Sequence, residues 1–164
     1  AAIGHALVVW GNTVPWITRR KGQTDGWERY SLERTRIADR IASLGLTRRM
    51  VMLSGDAHMV AIDDGTNSNY RTGAAPDQPG FPVVQAAPMD RLTSEKGGPY
   101  SNGISRKRGQ FGLMEVTDDG SRLRVELSGR DIRGLVIPRM RIVMECLDGQ
   151  PCRVIENDAV RPRP

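Results

Sequence analysis

The residues best placed to do chemistry are Asp56 and His58, which close the run Met50-Val51-Met52-Leu53-Ser54-Gly55-Asp56-Ala57-His58. Four apolar residues lead into small ones, the pattern of a buried parallel strand that ends in a turn. Open α/β sheets carry their chemistry just beyond the carboxyl ends of such strands. A carboxylate and an imidazole leaving one strand tip together suit a divalent or trivalent metal ion. Gly55 is expected to let the backbone turn sharply there. The plain alternative is a surface turn with a hydrogen-bonded Asp–His pair. His5, the other of the two histidines, starts the preceding strand at the end opposite this rim and reads as an ordinary packed or exposed side chain.

A βαβ unit must position the pair. Ala6 to Trp10 is an apolar run ending at Gly11, read as a buried strand with Asn12 at its tip. Residues 18–29 lack periodicity, carry Arg19-Arg20-Lys21, and read as a long loop of the kind that is often functional. Ser31 is a good N-cap for a helix over 31–44, with Leu32, Ile37, Ala38, Ile41 and Leu44 on its inner face. Arg34, Arg36 and Arg40 then form a solvated face, and Gly45 supplies the stop. Strand 50–54 follows by a right-handed crossover, so Asn12 and the Asp56–His58 pair reach the same rim.

Beyond His58 the sequence loosens, with Asp63-Asp64-Gly65 read as a turn. Phe81 and Pro82 to Ala87 give another apolar strand. Residues 89–109 form a second long loop holding Lys96-Gly97-Gly98-Pro99-Tyr100 and the basic knot Arg106-Lys107-Arg108. Phe111 to Val116 and Leu123 to Leu127, around Asp118-Asp119-Gly120, read as a hairpin with one solvated face, and Ile137 to Met144 as a further strand. Trp10, Trp16 and Trp27 are expected to anchor core or loop.

The 164 residues fit one domain, 1–164, able to bury a sizeable core. No apolar run approaches the roughly 18 residues needed to span a bilayer, so no membrane partner is expected. Lys and Arg outnumber Asp and Glu by 24 to 19, and the net charge of +5 favours anionic partners without choosing among them. Cys146 and Cys152 bracket Leu-Asp-Gly-Gln-Pro, a spacing unlike the usual zinc pattern. They are either two thiols or a small disulfide loop of an oxidising compartment, brought together across an Asp148-Gly149 turn.

Asp25-x-Trp27-x-x-Tyr30, a helix with an Arg-rich face, and Leu53-Ser54-Gly55-Asp56-x-His58, in that order, resemble the alkaline phosphatase D (PhoD-like) family of calcineurin-like metallophosphoesterases. Gly11-Asn12-Thr13-Val14 is similar to the strand end before that family's Asp-x-Trp loop. The match covers roughly residues 6–60. The resemblance implies the α/β fold class, a β-sandwich flanked by helices with antiparallel hairpin strands at the C-terminal end. It implies a phosphoester hydrolase with a two-metal centre, with Ca, Fe, Mn and Zn as candidate ions. His58 and Asp56 would be metal ligands, Asp25 and Asn12 would act in catalysis beside the metal, and Trp27 and Tyr30 would contact substrate.

The departures matter equally. Of the superfamily's early ligand motifs, Gly-Asp-x-x-Asp and Gly-Asn-His-Asp/Glu do not occur here, and the sole Asp-x-His is Asp56-Ala57-His58 of the strand tip itself. Two histidines cannot complete a two-metal site. The chain is therefore expected to be the C-terminal half of such a protein and inactive alone, with the upstream half as its partner. An apolar face left bare by a missing sheet would favour self-association or a partner domain. The cysteines and the resemblance favour an exported, periplasmic or extracellular protein. Two other function classes remain: a non-catalytic C-terminal interaction domain, and a basic polyanion-binding or nucleic-acid-binding module. The latter lacks aromatics interleaved with its basic residues.

Overall fold

The structure, a computed structural model, describes residues 5–18 and 26–160. They form an α/β fold of two sheets and one α-helix. The first sheet is mixed. It is built from β1 (Val8–Asn12), β2 (Met50–Ser54), β3 (Val60–Asp63), β4 (Val83–Gln85) and β5 (Ile104–Ser105), in the order β1-β2-β4-β3-β5. β1, β2 and β4 run parallel, whereas β3 is antiparallel to both β4 and β5. β1 lies two residues later than expected, because parallel pairing with β2 continues through Gly11↔Leu53 and Asn12↔Ser54.

A 3-10 turn, Trp27–Tyr30, leads into α1 (Ser31–Ser43). Ser31 is the first helical residue rather than the cap, and Tyr30 holds the N-cap position without a side-chain hydrogen bond. Gly45, at φ +68°, ends the helix as expected. Leu46 N–H reaches Ile41 O at 3.0 Å and Gly45 N–H reaches Ala42 O at 2.9 Å, the paired bonds that close a helix through a left-handed residue.

Ile37, Ala38, Ile41 and Leu44 face the core as expected, and the inner face departs from expectation at Leu32 and Arg34. Leu32 is 79% exposed, and Arg34 is buried with Ala38 and Ile41. At 3.6 residues per turn, Leu32 sits about 200° around the helix from Arg34, so only one of the two can face the core. Arg34 takes that place because loop carbonyls satisfy its guanidinium.

The second sheet is an antiparallel meander of β6 (Phe111–Asp118), β7 (Arg122–Arg130), β8 (Val136–Leu147) and β9 (Arg153–Asn157). Val125, Leu127, Ile142 and Met144 on its inner face pack against Val51, Val60, Ile62 and Val84 of the first sheet. On the opposite side, Met52, Ala61 and Val83 pack against Ala38 and Ile41 of α1 and against Trp16 and Phe81. The layers are thus helix and aromatic loop, mixed sheet, then antiparallel sheet. Each face of the mixed sheet is covered by this chain itself, contrary to the expectation of a bare apolar face. The opening lies instead along β1, which among the described residues pairs with β2 alone and leaves Val9 46% exposed.

Cys146 and Cys152 are joined in a disulfide across the turn between β8 and β9, with their Cα atoms 4.1 Å apart. Both are buried, and Cys152 N–H donates to Arg48 O at 2.7 Å. The bridge thereby ties the last hairpin to the segment entering β2.

Candidate functional site

Three polar residues lie in register at the carboxyl ends of the parallel strands: Asn12 on β1, Ser54 on β2 and Gln85 on β4. Side chains two apart on a strand share a face. Met52 and Val83 belong to the helix-side core, so Ser54 and Gln85 face that side too. Asn12 joins them there, since its side-chain nitrogen approaches Met52 Sδ at 3.6 Å and Ser54 Oγ at 3.4 Å. The same nitrogen donates to Val14 O, as does Ser54 Oγ at 2.8 Å. Trp27 Nε1–H donates to Asn12 Oδ1 at 3.1 Å, and Gly55 N–H reaches Asn12 O at 3.2 Å. Asn12 therefore braces the β1 tip, the following loop, Trp27 and the β2 tip at once. Its amide oxygen is already engaged, which suits holding other groups rather than reacting.

Gln85 donates its side-chain N–H to Gly55 O, while its buried Oε1 has no hydrogen-bond partner among the described residues. Sequence reasoning missed this residue. The available signal was a lone amide at the end of the buried run Phe81-Pro82-Val83-Val84.

The turn beyond Ser54 is left-handed twice. Asp56 has φ +68° and His58 φ +50°, whereas Gly55 takes no positive φ, so the expected role of the glycine falls to its neighbours. Non-glycine residues rarely occupy this region, and such strain concentrates at functional sites. Ala57 between them is fully buried, while Asp56 is exposed and His58 half-buried. Asp56 Oδ2 accepts an ion pair from Lys96 Nζ at 2.9 Å. Ser94 donates its N–H to His58 O at 3.3 Å and its hydroxyl to Ala57 O at 2.9 Å. The loop holding Ser94 and Lys96 thus lies across the turn, and neither residue had stood out as a site candidate.

Trp10, Trp16 and Trp27 meet edge to face, with centroids 5.5–6.5 Å apart, and Trp16 also meets Tyr70 and Phe81. The tryptophans are anchors, as expected, and Trp27 is one that also reaches the rim. Tyr30 is 63% exposed and stands outside this cluster, so the structure does not bring it to Asn12 with Trp27. Asp25 lies outside the described residues.

Arg34 donates from Nη1 to Trp16 O at 2.9 Å and Thr18 O at 3.3 Å, and its guanidinium carbon lies 3.5 Å from the Tyr70 ring centre. Burial pushes its pKa down, and Tyr70 and Glu28 offset this only in part. Asp63 is more than a turn residue. Its carboxylate accepts N–H groups of Gly65, Asn67 and Ser101 and the Asn67 side chain, and burial still holds its pKa above the ordinary value.

Among the described residues no group of three His, Cys, Asp or Glu side chains could hold a metal ion. Asp56 and His58, two positions apart in one turn, are two donors of suitable chemistry, and they make only part of a ligand set. A cavity of about 240 Å³ opens between the β2 and β4 ends and β6, lined by Leu53, Ser54, Gly55, Val84, Ala86 and residues 112–114, and includes neither Asp56 nor His58. A larger one of about 480 Å³, between Met89, Phe111 and Ile132, includes none of the rim residues.

No family model matches the chain, and no curated protein does. Among solved structures it is similar to one described as "Structure of PhoD", at 13% identity and a TM-score of 0.49. That likeness covers 92% of this chain and 32% of the other, so the chain spans about a third of that protein's length. At this level the likeness adds nothing to the chemistry of the rim.

Proposed function

We propose that this chain supplies one wall of the active site of a metal-dependent phosphoester hydrolase acting on phosphomonoesters or phosphodiesters. The observation that carries the reading is the doubly left-handed Asp56–His58 turn at the β2 tip, backed by the in-register row Asn12, Ser54 and Gln85. Strain of this kind persists only where the surroundings hold it. Here Gln85, Ser94 and Asn12 bond the turn's backbone on both sides.

Asp56 and His58 would ligate a divalent or trivalent ion, such as Mn, Fe, Zn or Ca. When bound, it would polarise the phosphoryl oxygens and activate a water. The remaining ligands would come from an upstream half of the same protein. Trp27 positions the Asn12 amide.

The polyanion-binding alternative loses support on the outer sheet. There Arg122, Arg124, Arg130, Arg141 and Arg153 each pair with a glutamate, which lowers the positive field available to a partner. An interaction module is favoured by one observation, the β1 edge, which pairs with β2 alone among the described residues and is suited to strand addition.

The test is His58→Ala in the full-length protein, assayed on an aryl phosphate and its diester with Mn²⁺ or Ca²⁺. Loss of a ligand lowers turnover about 10²-fold or more. Unchanged turnover would sink the assignment, and full-length protein with no bound metal would favour the interaction module.

A further inference from the structure

Two loops hold large apolar side chains where turn chemistry asks for none. Met89, just past the end of β4, has φ +44° and is 67% exposed. Left-handed positions suit Gly or Asn, so the backbone gains nothing from a methionine there. Ile132 is 81% exposed in the turn between β7 and β8. That turn is already closed by the Asp131 carboxylate, which accepts the Arg133 and Leu135 N–H groups, and by Gly134 N–H donating to Asp131 O. Neither side chain is needed to shape its loop.

Both line one cavity of about 480 Å³, with Phe111, Gly109, Arg108 and Asp90 also on its wall. Sites for one small molecule run from about 300 to 1,000 Å³ and are mostly apolar. This one is preformed. Gly109 N–H donates to Met89 O at 2.6 Å and Met89 N–H to Gln110 O at 3.3 Å, which ties the two strand-entry loops together. Gly109, at φ +66°, admits the turn closely, since a Cβ there would lie 3.1 Å from Ile132 Cβ. The charge nearby is positive. Arg91, Lys107 and Arg108 are exposed and make no ion pair among the described residues, whereas Arg106 is held by Glu95 at 2.9 Å. Asp90 alone opposes those three cations on the same two loops.

We propose that this cavity binds a small amphipathic anion, with an aryl or short alkyl body and a single carboxylate or sulfonate head. The body covers Met89, Phe111 and Ile132, and the head meets the Arg108 guanidinium, whose fork can hold two anionic oxygens. Asp90 selects against a second negative charge. The apolar side chains surround a cavity instead of spreading over a plane, which fits one small molecule better than a bilayer or a second copy. None of the rim residues lines it, so the proposal stands apart from the reading of Asp56 and His58.

The experiment titrates the full chain with 8-anilinonaphthalene-1-sulfonate, follows its fluorescence, and displaces it with octanoate. Wild type binds one molecule per chain. Met89→Asn and Ile132→Ser each weaken binding about five- to tenfold by removing apolar contact. Asn accepts the left-handed backbone, so Met89→Asn loses binding without a lower Tm. Arg108→Gln weakens the sulfonate about three- to fivefold and leaves the neutral 1-anilinonaphthalene unchanged. Val160→Ser, which trims an exposed apolar side chain outside the cavity, binds as wild type does. No saturable binding in wild type, unchanged binding in Met89→Asn and Ile132→Ser, or an equal loss in Val160→Ser overturns the proposal. So does self-association, or capture by phosphatidylglycerol vesicles, that Ile132→Ser abolishes while neither the sulfonate nor octanoate binds.

Discussion

Arg34 offers the sharpest test of how the wall behind the site is held. The perturbation is Arg34→Met, which keeps most of the side chain's length and removes its charge and donors. The loss has two parts. Trp16 O and Thr18 O lose their donor, at about 1–3 kcal/mol for each carbonyl left dry. The stack over Tyr70 is worth about 2 kcal/mol when desolvated. Against this stands the cost of keeping a guanidinium 6% exposed, with Nε unpartnered and no carboxylate bonded to it among the described residues. That cost is several kcal/mol. Losses of about 4–8 kcal/mol against several recovered leave a net destabilisation on the order of 2 kcal/mol. For a chain of this size, this lowers Tm by about 5–10 °C. Arg34→Lys should fall between the two, because an ammonium keeps the charge and one carbonyl but loses the planar stack. Thermal and urea unfolding by circular dichroism measure both variants, and the combined emission of Trp10, Trp16 and Trp27 reports the loosened loop. A change under about 0.5 kcal/mol in Arg34→Met would refute the reasoning. So would Arg34→Lys proving less stable than Arg34→Met, since desolvation would then outweigh the bonds.

The outer sheet and the disulfide give two further tests. Glu126 and Glu156 are held below the ordinary carboxyl range, first by hydrogen bonds from Arg141. Their folded pKa values being lowered, the stability they add is present above the unfolded value near 4.3 and is lost as pH falls through the folded ones. Arg141→Met should therefore be less stable than wild type at pH 7, with the gap closing below about pH 4 in acid titrations of urea midpoint. A gap independent of pH would contradict this. Reducing Cys146–Cys152, which closes a loop with a sequence separation of 6, should cost about 2 kcal/mol and lower Tm by about 5 °C in a scan with and without dithiothreitol. An unchanged Tm after confirmed reduction would show that hairpin packing alone holds this end.

What the sequence made legible follows from where the determinants lie. β1, α1, β2, β4 and the β6–β7 hairpin are marked by apolar runs and turn residues that act locally, and each appears within a few residues of its expected place. β3 was missed because Val60-Ala61-Ile62 is too short to distinguish from a loop with buried side chains. β5, with two residues, and β9, with alternating charges at an edge, carry still weaker patterns. Arg34 and Leu32 exchange places because side-chain polarity does not say whether backbone carbonyls wait in the core. The site divides in the same way. Asp56 and His58 could be read from spacing at a strand tip. Asn12 and Trp27 could be placed near them by topology. Gln85 and Lys96 could not, since their partners Gly55 and Asp56 lie 30 and 40 residues away. Nor does spacing reveal that the strain falls on Asp56 and His58 rather than on Gly55. A glycine would have made that turn without strain and without side chains. Placing a carboxylate and an imidazole in left-handed positions costs about 1–3 kcal/mol each, which the surrounding bonds must offset. A turn serving only to reverse the chain has no need of that cost, and this is the physical reason to look for function at these two residues.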